Sequence, residues 1–329
     1  MESDKTGLPT IIVPYPGPAT EPGNQDIFVY LRPETNGVLA ESTIFKVVKA
    51  ANSGEHHMDL IFLANFPGEF IVENHVVEQY YALKLHFAVM GRSVFTENMK
   101  QRFSHWFKIS FEEADVIGAF RALELLGKEP EELFDTWVPE KDVCIINGQC
   151  IKKIGSWFII NYDIPALIHK NSKNTDIAVM VFRAKAPYEQ IKLLVHEMHK
   201  ALCDGGVLNP QYDAARAFHY SKGPFEQILD GVAYLSADQH LGLKLSDFTF
   251  AKWLIDKGIN AESICRVLLN PIVEIQMPDG TVTEENFLQY TQFDNFETAL
   301  QKFRSIIHNV EMIHHGPLLQ FMSKSVSGD

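Results

Sequence analysis

The sequence of 329 residues contains only four cysteines and no apolar run long enough to cross a membrane. Small secreted proteins are held together by dense disulfides, so four scattered cysteines exclude such a scaffold and favour a reducing compartment. A transmembrane helix needs about 20 mostly apolar residues, and none is therefore expected. The first 23 residues also lack a charged segment followed by a long apolar one, the mark of a signal peptide. These absences predict a soluble, cytoplasmic protein.

Positive charge is also scarce, because 29 lysines and arginines stand against 42 acidic residues and give a formal net charge of −13. A surface of this sign repels nucleic-acid phosphates, and no cluster of basic residues is present to overcome the repulsion. We therefore expect neither a nucleic acid nor a membrane as partner, whereas a homo-oligomer stays open. The hydrophobic share of 46% is typical of a globular protein with a substantial core.

Sequence motifs with a defined chemistry are missing as well. No glycine pattern of the phosphate-loop or dinucleotide type occurs, so a nucleotide cofactor is not supported. No Gly-x-Ser-x-Gly elbow is present to carry a nucleophilic serine. The sequence therefore names no reaction and no cofactor, and it leaves open whether the protein is an enzyme.

Apolar runs and turn residues divide the chain into four parts. Residues 1–25 carry five prolines, which predict an extended arm. Residues 26–205 predict an α/β core, residues 206–322 a mainly helical region, and residues 323–329 a flexible tail.

The order of elements predicts the fold class. The apolar runs 27–31 and 60–63 flank a predicted helix over 38–51, which indicates a β-α-β unit with parallel strands. The Asn147-Gly148 pair between two further apolar runs predicts an antiparallel hairpin. We predict an α/β or α+β fold with a mixed sheet, this N-terminal β-α-β unit, this central hairpin and a mainly helical C-terminal region.

Three further segments are predicted to be helical. Residues 69–90 form one long apolar pattern that ends at a glycine. The capping-box pattern that begins at Ser110 predicts a helix running to Gly127. Residues 295–313 are predicted as a helix near the C-terminus.

Polar residues follow the two predicted strands of the β-α-β unit. They are Arg32, Glu34, Thr35 and Asn36 after the first strand, and Asn65 and Glu69 after the second. Ligands of open α/β sheets bind at the carboxyl ends of parallel strands, where helix N-termini favour anions. If the apolar run 177–182 is a parallel strand of the same sheet, Arg183 reaches the same edge.

This pattern leads to two alternatives for the function. In the first, the protein is an enzyme that binds a small anionic molecule through Arg32 and Arg183. Thr35, Asn36 and Asn65 add ligand contacts, and Glu34 or Glu69 acts as acid or base. In the second, the protein is a non-catalytic interaction or regulatory protein that contacts its partner through the helical C-terminal region. An oligomer is compatible with this alternative. Both loops also fit ordinary turn chemistry.

Two histidines suggest a metal. His196 and His199 lie three residues apart in a predicted helix, so they share one face and could bind a divalent ion together. The spacing differs from the His-Glu-x-x-His zinc motif, and third ligands such as His219 or Glu226 are guesses. A divalent metal bound by these histidines is one hypothesis. The alternative is that both are solvated surface histidines, and the lack of a defined third ligand favours this alternative.

Overall fold

The structure is a computed structural model, which describes residues 7–21, 23–52, 57–211, 214–235 and 243–312. The predicted tail, residues 323–329, and part of the predicted arm lie outside these ranges. None of the described helices combines the length and the hydrophobicity that crossing a membrane requires.

Helices and strands alternate along the described chain. The strands are β1 (Thr10–Val13), β2 (Gln25–Leu31), β3 (Met58–Phe66), β4 (Asp115–Gly118), β5 (Val143–Ile146), β6 (Gln149–Ile154), β7 (Trp157–Ile160), β8 (Ile177–Ala184), β9 (Phe218–Tyr220), β10 (Ile272–Gln276), β11 (Val282–Asn286) and β12 (Ile306–Asn309). The helices are α1 (Val38–Ala51), α2 (Gly68–Glu73), α3 (Val76–Tyr80), α4 (Ala82–Met90), α5 (Glu97–Phe107), α6 (Ala119–Leu126), α7 (Pro130–Asp135), α8 (Ile164–Lys170), α9 (Tyr188–Asp204), α10 (Ala214–Ala217), α11 (Pro224–Tyr234), α12 (Thr249–Asp256), α13 (Ala261–Leu269), α14 (Phe287–Tyr290) and α15 (Phe296–Arg304).

The central sheet has five strands in the order β1-β3-β8-β2-β9, and every neighbouring pair is antiparallel. β2 and β3 therefore run in the same direction, as predicted, but β8 lies between them, with Val181 opposite both Phe28 and Phe62. The condition that residues 177–182 run parallel to β2 is wrong. Two β-α-β units, β2-α1-β3 and β8-α9-β9, interleave their strands in this sheet.

Both faces of the central sheet are buried, which explains why residues 27–31 of β2 form an uninterrupted apolar run. Ile27, Val29 and Leu31 pack on the side of α1 and α9. Phe28 and Tyr30 alternate with them and pack on the side of α11 and α12. The end of β2 therefore lies between two helical layers.

Residues 67–176, which we call the insertion, separate β3 from β8. They hold a four-stranded sheet in the order β4-β7-β6-β5, in which β4 and β7 are parallel and the other neighbours are antiparallel. The predicted hairpin at Asn147 and Gly148 is confirmed as β5-β6. Both turn residues have positive φ, which Asn and Gly tolerate best.

Two helix predictions in the insertion are wrong. The predicted helix over 69–90 is divided into α2, α3 and α4: His75, with a left-handed φ of 50, separates α2 from α3, and Tyr81 separates α3 from α4. The predicted helix from Ser110 is interrupted by β4, which pairs with the distant strand β7. Gly118 at the end of β4 lies so close to α4 that a Cβ there would be 2.1 Å from the carbonyl oxygen of Ala88. Pairing with a distant strand overrides the local helix signal.

After residue 205, the described residues form mainly helices, together with β9 and a small sheet, β11-β10-β12. The predicted helix 295–313 ends at Arg304, because the next residues pair with β10 as β12. At the other end of the chain, Thr10–Val13 of the predicted arm pairs with β3 as an edge strand. The fold class predicted from the sequence, α/β or α+β with a mixed sheet, is confirmed.

Candidate functional site

A cavity of about 580 Å³ lies at the carboxyl end of β2, between the central sheet and the insertion. The loop after β2, α10, β9 and the first turn of α11 form one side, and α3, α4, α7 and α8 form the other. Cavities of roughly 300–1,000 Å³ are typical of small-molecule sites. Its position agrees with the expectation that polar residues collect where β2 ends.

Charged side chains of both signs line the cavity, with positive charge in excess. The positive ones are Arg32, Lys84, Lys170, Arg216 and Lys222, and the negative ones are Glu34, Asp163 and Glu226. In a chain with a formal net charge of −13, five cations against three carboxylates are a local excess of positive charge.

Ion pairs neutralise three of these cations. The pairs are Lys84–Asp163 at 2.9 Å, Arg216–Asp135 at 2.6 Å, and Lys170–Glu34. The last two pairs connect the insertion to the central unit across the cavity. Lys84, Lys170 and Arg216 are therefore already paired with carboxylates and form part of the cavity walls.

Arg32 differs, because no carboxylate in the described ranges forms an ion pair with it. Its Nη2 donates to the hydroxyl of Tyr81 at 3.3 Å, and its Nε donates to the carbonyl oxygen of Ala215 at 3.4 Å. The guanidinium also lies 5.6 Å from the centre of the Tyr30 ring. A guanidinium carries five N–H donors, so these contacts hold it in place and leave donors for a bidentate contact with an anion.

A proton-sharing cluster lies at the same side of the cavity. Nε2 of His219 is 3.2 Å from the hydroxyl of Tyr80, 3.5 Å from Oδ1 of Asp230 and 3.8 Å from Oε1 of Glu226. The imidazole stacks on the ring of Tyr30, with 4.5 Å between the ring centres. His219, Tyr80 and Glu226 line the cavity.

Burial changes the acidity of this cluster. It raises the pKa of Glu226 above its ordinary value; His219 opposes this shift, and the neighbouring Asp230 adds to it. Burial also raises the pKa of Tyr80, together with the charges of Asp230 and Glu226. Glu226 therefore keeps a proton to a higher pH than an ordinary glutamate does. Such shifts beside a cation in a cavity are typical of general acid–base groups.

The predicted loop residues have divided roles. Arg32 and Glu34 line the cavity, as the sequence suggested. Thr35 is buried and donates its hydroxyl hydrogen to the carbonyl oxygen of Ala217. Oδ1 of Asn36 accepts from the backbone N–H of Ala178 at 2.8 Å. Thr35 and Asn36 thus fix the loop that carries Arg32, and neither lines the cavity.

Asn65 lies at the neck of the insertion, outside the cavity lining. Its Nδ2 donates to Oδ2 of Asp176 at 3.0 Å, and the backbone N–H of Gly68 donates to Oδ1 of the same carboxylate at 3.2 Å. We call these three residues the neck clasp. Glu69, one residue further along in α2, does not line the cavity either.

Arg183 lies at the opposite end of the central sheet from Arg32, because β8 runs antiparallel to β2. Its Nε and Nη2 donate to the two carboxylate oxygens of Asp26 at 2.8 and 3.0 Å, and Nη2 also donates to the carbonyl oxygen of Gly17. The structure does not bring the two arginines together, so Arg32 and Arg183 do not form one anion site as the sequence suggested.

The two histidines of α9 gain no third ligand. His196 is exposed, and Nε2 of His199 lies 3.7 Å from Sγ of Cys203. In the described part of the chain, no group of three or more His, Cys, Asp or Glu side chains is arranged to hold a metal ion. The metal hypothesis at His196 and His199 therefore has no geometric support.

Sequence reasoning did not assign Tyr80, His219 or Glu226 to acid–base chemistry. They lie on α3, β9 and α11, which only the three-dimensional fold brings together. One local signal was available, since Glu226 and Asp230 are four apart in a predicted helix and share a face. Comparison of the chain with protein-family models, with curated proteins and with solved structures finds no match.

Proposed function

We propose that the protein is an enzyme that binds a small anionic molecule in the cavity at the end of β2. The observation that carries the proposal is Arg32, a guanidinium held by Tyr81 and Ala215 and not by a carboxylate of the described residues. Lys222 lines the same cavity and adds positive charge. Because the remaining cations are neutralised by ion pairs, Arg32 is the group that gains most from an anion.

The proton-transfer role moves from Glu34 and Glu69 to the cluster of Tyr80, His219 and Glu226. Glu34 is engaged by Lys170, and Glu69 does not line the cavity. The cluster lines the cavity together with Arg32, so an anion bound there would lie beside groups that exchange protons. This arrangement supports proton transfer to or from the bound anion.

Thermal denaturation tests the anion site. Wild-type protein is heated with sodium phosphate, sulfate, acetate or succinate in place of chloride, at constant ionic strength. A bound anion raises the melting temperature, because it stabilises the folded state alone. Replacing Arg32 with Ala should weaken the binding roughly 10- to 100-fold, since a hydrogen bond to a charged group contributes about 1.5–3 kcal/mol.

Arg121→Ala is the matched control, because Arg121 is an exposed arginine paired with Glu124 on α6. It should leave both the melting temperature and the anion response unchanged. The same anion response in Arg32→Ala and wild type would contradict the proposal, as would the absence of any response in the wild type.

A non-catalytic binding protein would bind the same anion and leave it unchanged. Native mass spectrometry of the gently purified protein identifies a retained molecule by its mass. Incubation of that molecule with wild-type protein and with His219→Gln then distinguishes the two functions: conversion by the wild type alone supports an enzyme.

The four free cysteines support the further proposal that the protein works in a reducing compartment such as the cytoplasm.

A further inference from the structure

Asp230 is a fully buried carboxylate behind the cavity wall. It lies on α11, and its Oδ2 accepts a hydrogen bond from Oγ of Ser221 at 2.6 Å. Its Oδ1 is buried and has no hydrogen-bond partner among the described residues, yet it lies 3.5 Å from Nε2 of His219. A buried carboxylate oxygen without a donor is costly, so this oxygen needs the proton of His219.

The direction of each hydrogen bond follows from the number of protons. Ser221 Oγ accepts from the backbone N–H of Phe28 at 3.0 Å, so its single hydrogen is directed to Oδ2 of Asp230. Oδ1 is then the oxygen that faces His219. An ionised Asp230 can only accept, so in that state Nε2 of His219 must carry the hydrogen.

The proton on Nε2 fixes the role of Tyr80. The Tyr80 oxygen lies 3.2 Å from Nε2 and cannot donate its hydrogen to a nitrogen that already carries one. The hydroxyl hydrogen of Tyr80 is then directed away from His219, toward Oε1 of Glu226 at 3.5 Å or toward a molecule in the cavity. The ring of Tyr30 stacks on the imidazole and keeps it in this plane.

We infer that Asp230 is a positioning residue: it keeps the proton of His219 on Nε2 and thereby makes Tyr80 a hydrogen-bond donor to the bound anion. The inference deepens the proposed function, on which it rests, because it states that the ligand presents an acceptor atom to Tyr80. Its test reads the position of a proton and needs no ligand, so it can fail or succeed independently of anion binding.

Nitrogen NMR of ¹⁵N-histidine-labelled protein provides the readout, at a pH where the imidazole rings are neutral. The chemical shifts tell which ring nitrogen carries the hydrogen, and the His219 signals are assigned by their loss in His219→Gln. We expect the hydrogen on Nε2 in the wild type. A hydrogen on Nδ1 would overturn the inference.

Asp230→Asn should move that hydrogen. The hydroxyl of Ser221 still needs an acceptor, so the amide oxygen takes the Oδ2 position and the amide N–H₂ faces His219. Nε2 must then accept, and the hydrogen moves to Nδ1. Adding Ser221→Ala frees the amide to turn its oxygen toward His219, and the double variant should restore the hydrogen on Nε2. A merely structural role of Asp230 predicts neither the move nor the restoration.

Tyr80→Phe keeps the test decisive if the buried variants fail to fold. Because Asp230 sets the proton, this variant should leave the hydrogen on Nε2. A shift to Nδ1 would mean that Tyr80 sets it and would overturn the inference. Loss of the anion response in Arg32→Ala, together with the expected NMR results, supports both proposals. An unchanged anion response with the expected NMR results would overturn the proposed function and the role of Tyr80 as donor to an anion, and would leave only the control of the His219 proton by Asp230.

Discussion

The two ends of the central sheet each hold an arginine beside tyrosines, and the two arginines differ in whether a carboxylate pairs with them. Arg183 makes a bidentate pair with Asp26, whose carboxylate also accepts from Tyr15 and Thr249. Among the residues that the structure describes, the hydrogen-bond partners of Arg32 are neutral, a tyrosine hydroxyl and a carbonyl oxygen. The positive charge of Arg183 is neutralised within the protein, where the pair connects two segments. The charge of Arg32 is held in place but not neutralised, so its guanidinium can still pair with an anion.

The largest effect is expected at the neutralised end. Arg183→Ala leaves the buried carboxylate of Asp26 without its counter-charge, and loss of one partner of a buried pair costs about 3–5 kcal/mol. Urea denaturation should show this loss, with anion affinity in the cavity unchanged. The double variant with Asp26→Asn should recover part of the stability. If Arg183→Ala lowers the free energy of unfolding by less than about 1 kcal/mol, the Arg183–Asp26 pair behaves like a solvent-exposed ion pair.

Lys152, a buried cation for which the described part of the chain offers no carboxylate within ion-pair distance, gives the next-largest effect. Lys152 donates to the carbonyl oxygens of Phe134 at 2.8 Å and Thr136 at 3.0 Å, and it lies 3.9 Å from the centre of the Tyr162 ring. Burial lowers its pKa from 10.5 to about 8. The unfolded chain binds this proton more tightly, so the free energy of unfolding rises as the pH increases from 8 to 10.5.

The rise amounts to about 3 kcal/mol for a shift of this size. It is fully present above the unfolded-state pKa and is lost as the pH falls through the folded-state value. Urea denaturation of wild type and Lys152→Met between about pH 7 and pH 10.5 measures it, since the variant lacks the titrating group. Equal pH dependence in both proteins would show that Lys152 is not the cause.

The smallest effect concerns the paired cations of the cavity. Glu34→Gln removes the partner of Lys170, so the cavity becomes more positive and anion affinity should rise about 2- to 5-fold at low salt. Glu69→Gln, a matched change outside the cavity lining, should alter neither affinity nor stability. The anion titration used for Arg32 measures both variants. A fall in affinity for Glu34→Gln would mean that Glu34 itself contacts the ligand.

Local signals account for the parts of the fold that the sequence predicted. Residues Asn147 and Gly148 specify their turn through positive φ. These signals act within a few residues, so they can be read in one dimension. The direction of β2 relative to β3 follows similarly from the length of α1.

Strand order has no local signal, and the two-arginine site was wrong for that reason. Whether residues 177–184 lie beside β2, and in which direction, depends on contacts between segments separated by the whole insertion. The predicted Arg32 and Glu34 do line the cavity, because the end of β2 is a local feature. Tyr80 and His219 meet 139 positions apart, which no spacing rule reveals.

The neck clasp marks the place where the insertion leaves the central sheet, and the insertion supplies one side of the cavity. β3 and β8 pair up to Phe66 and Ile177, so the insertion occupies the place of a hairpin loop. With a short turn there, Arg32 would be solvated on an open sheet end, where water screens its attraction for anions. Side chains of α3, α4, α7 and α8 instead form one side of the cavity. The surroundings of Arg32 are thus supplied largely by a segment inserted between two other strands, β3 and β8.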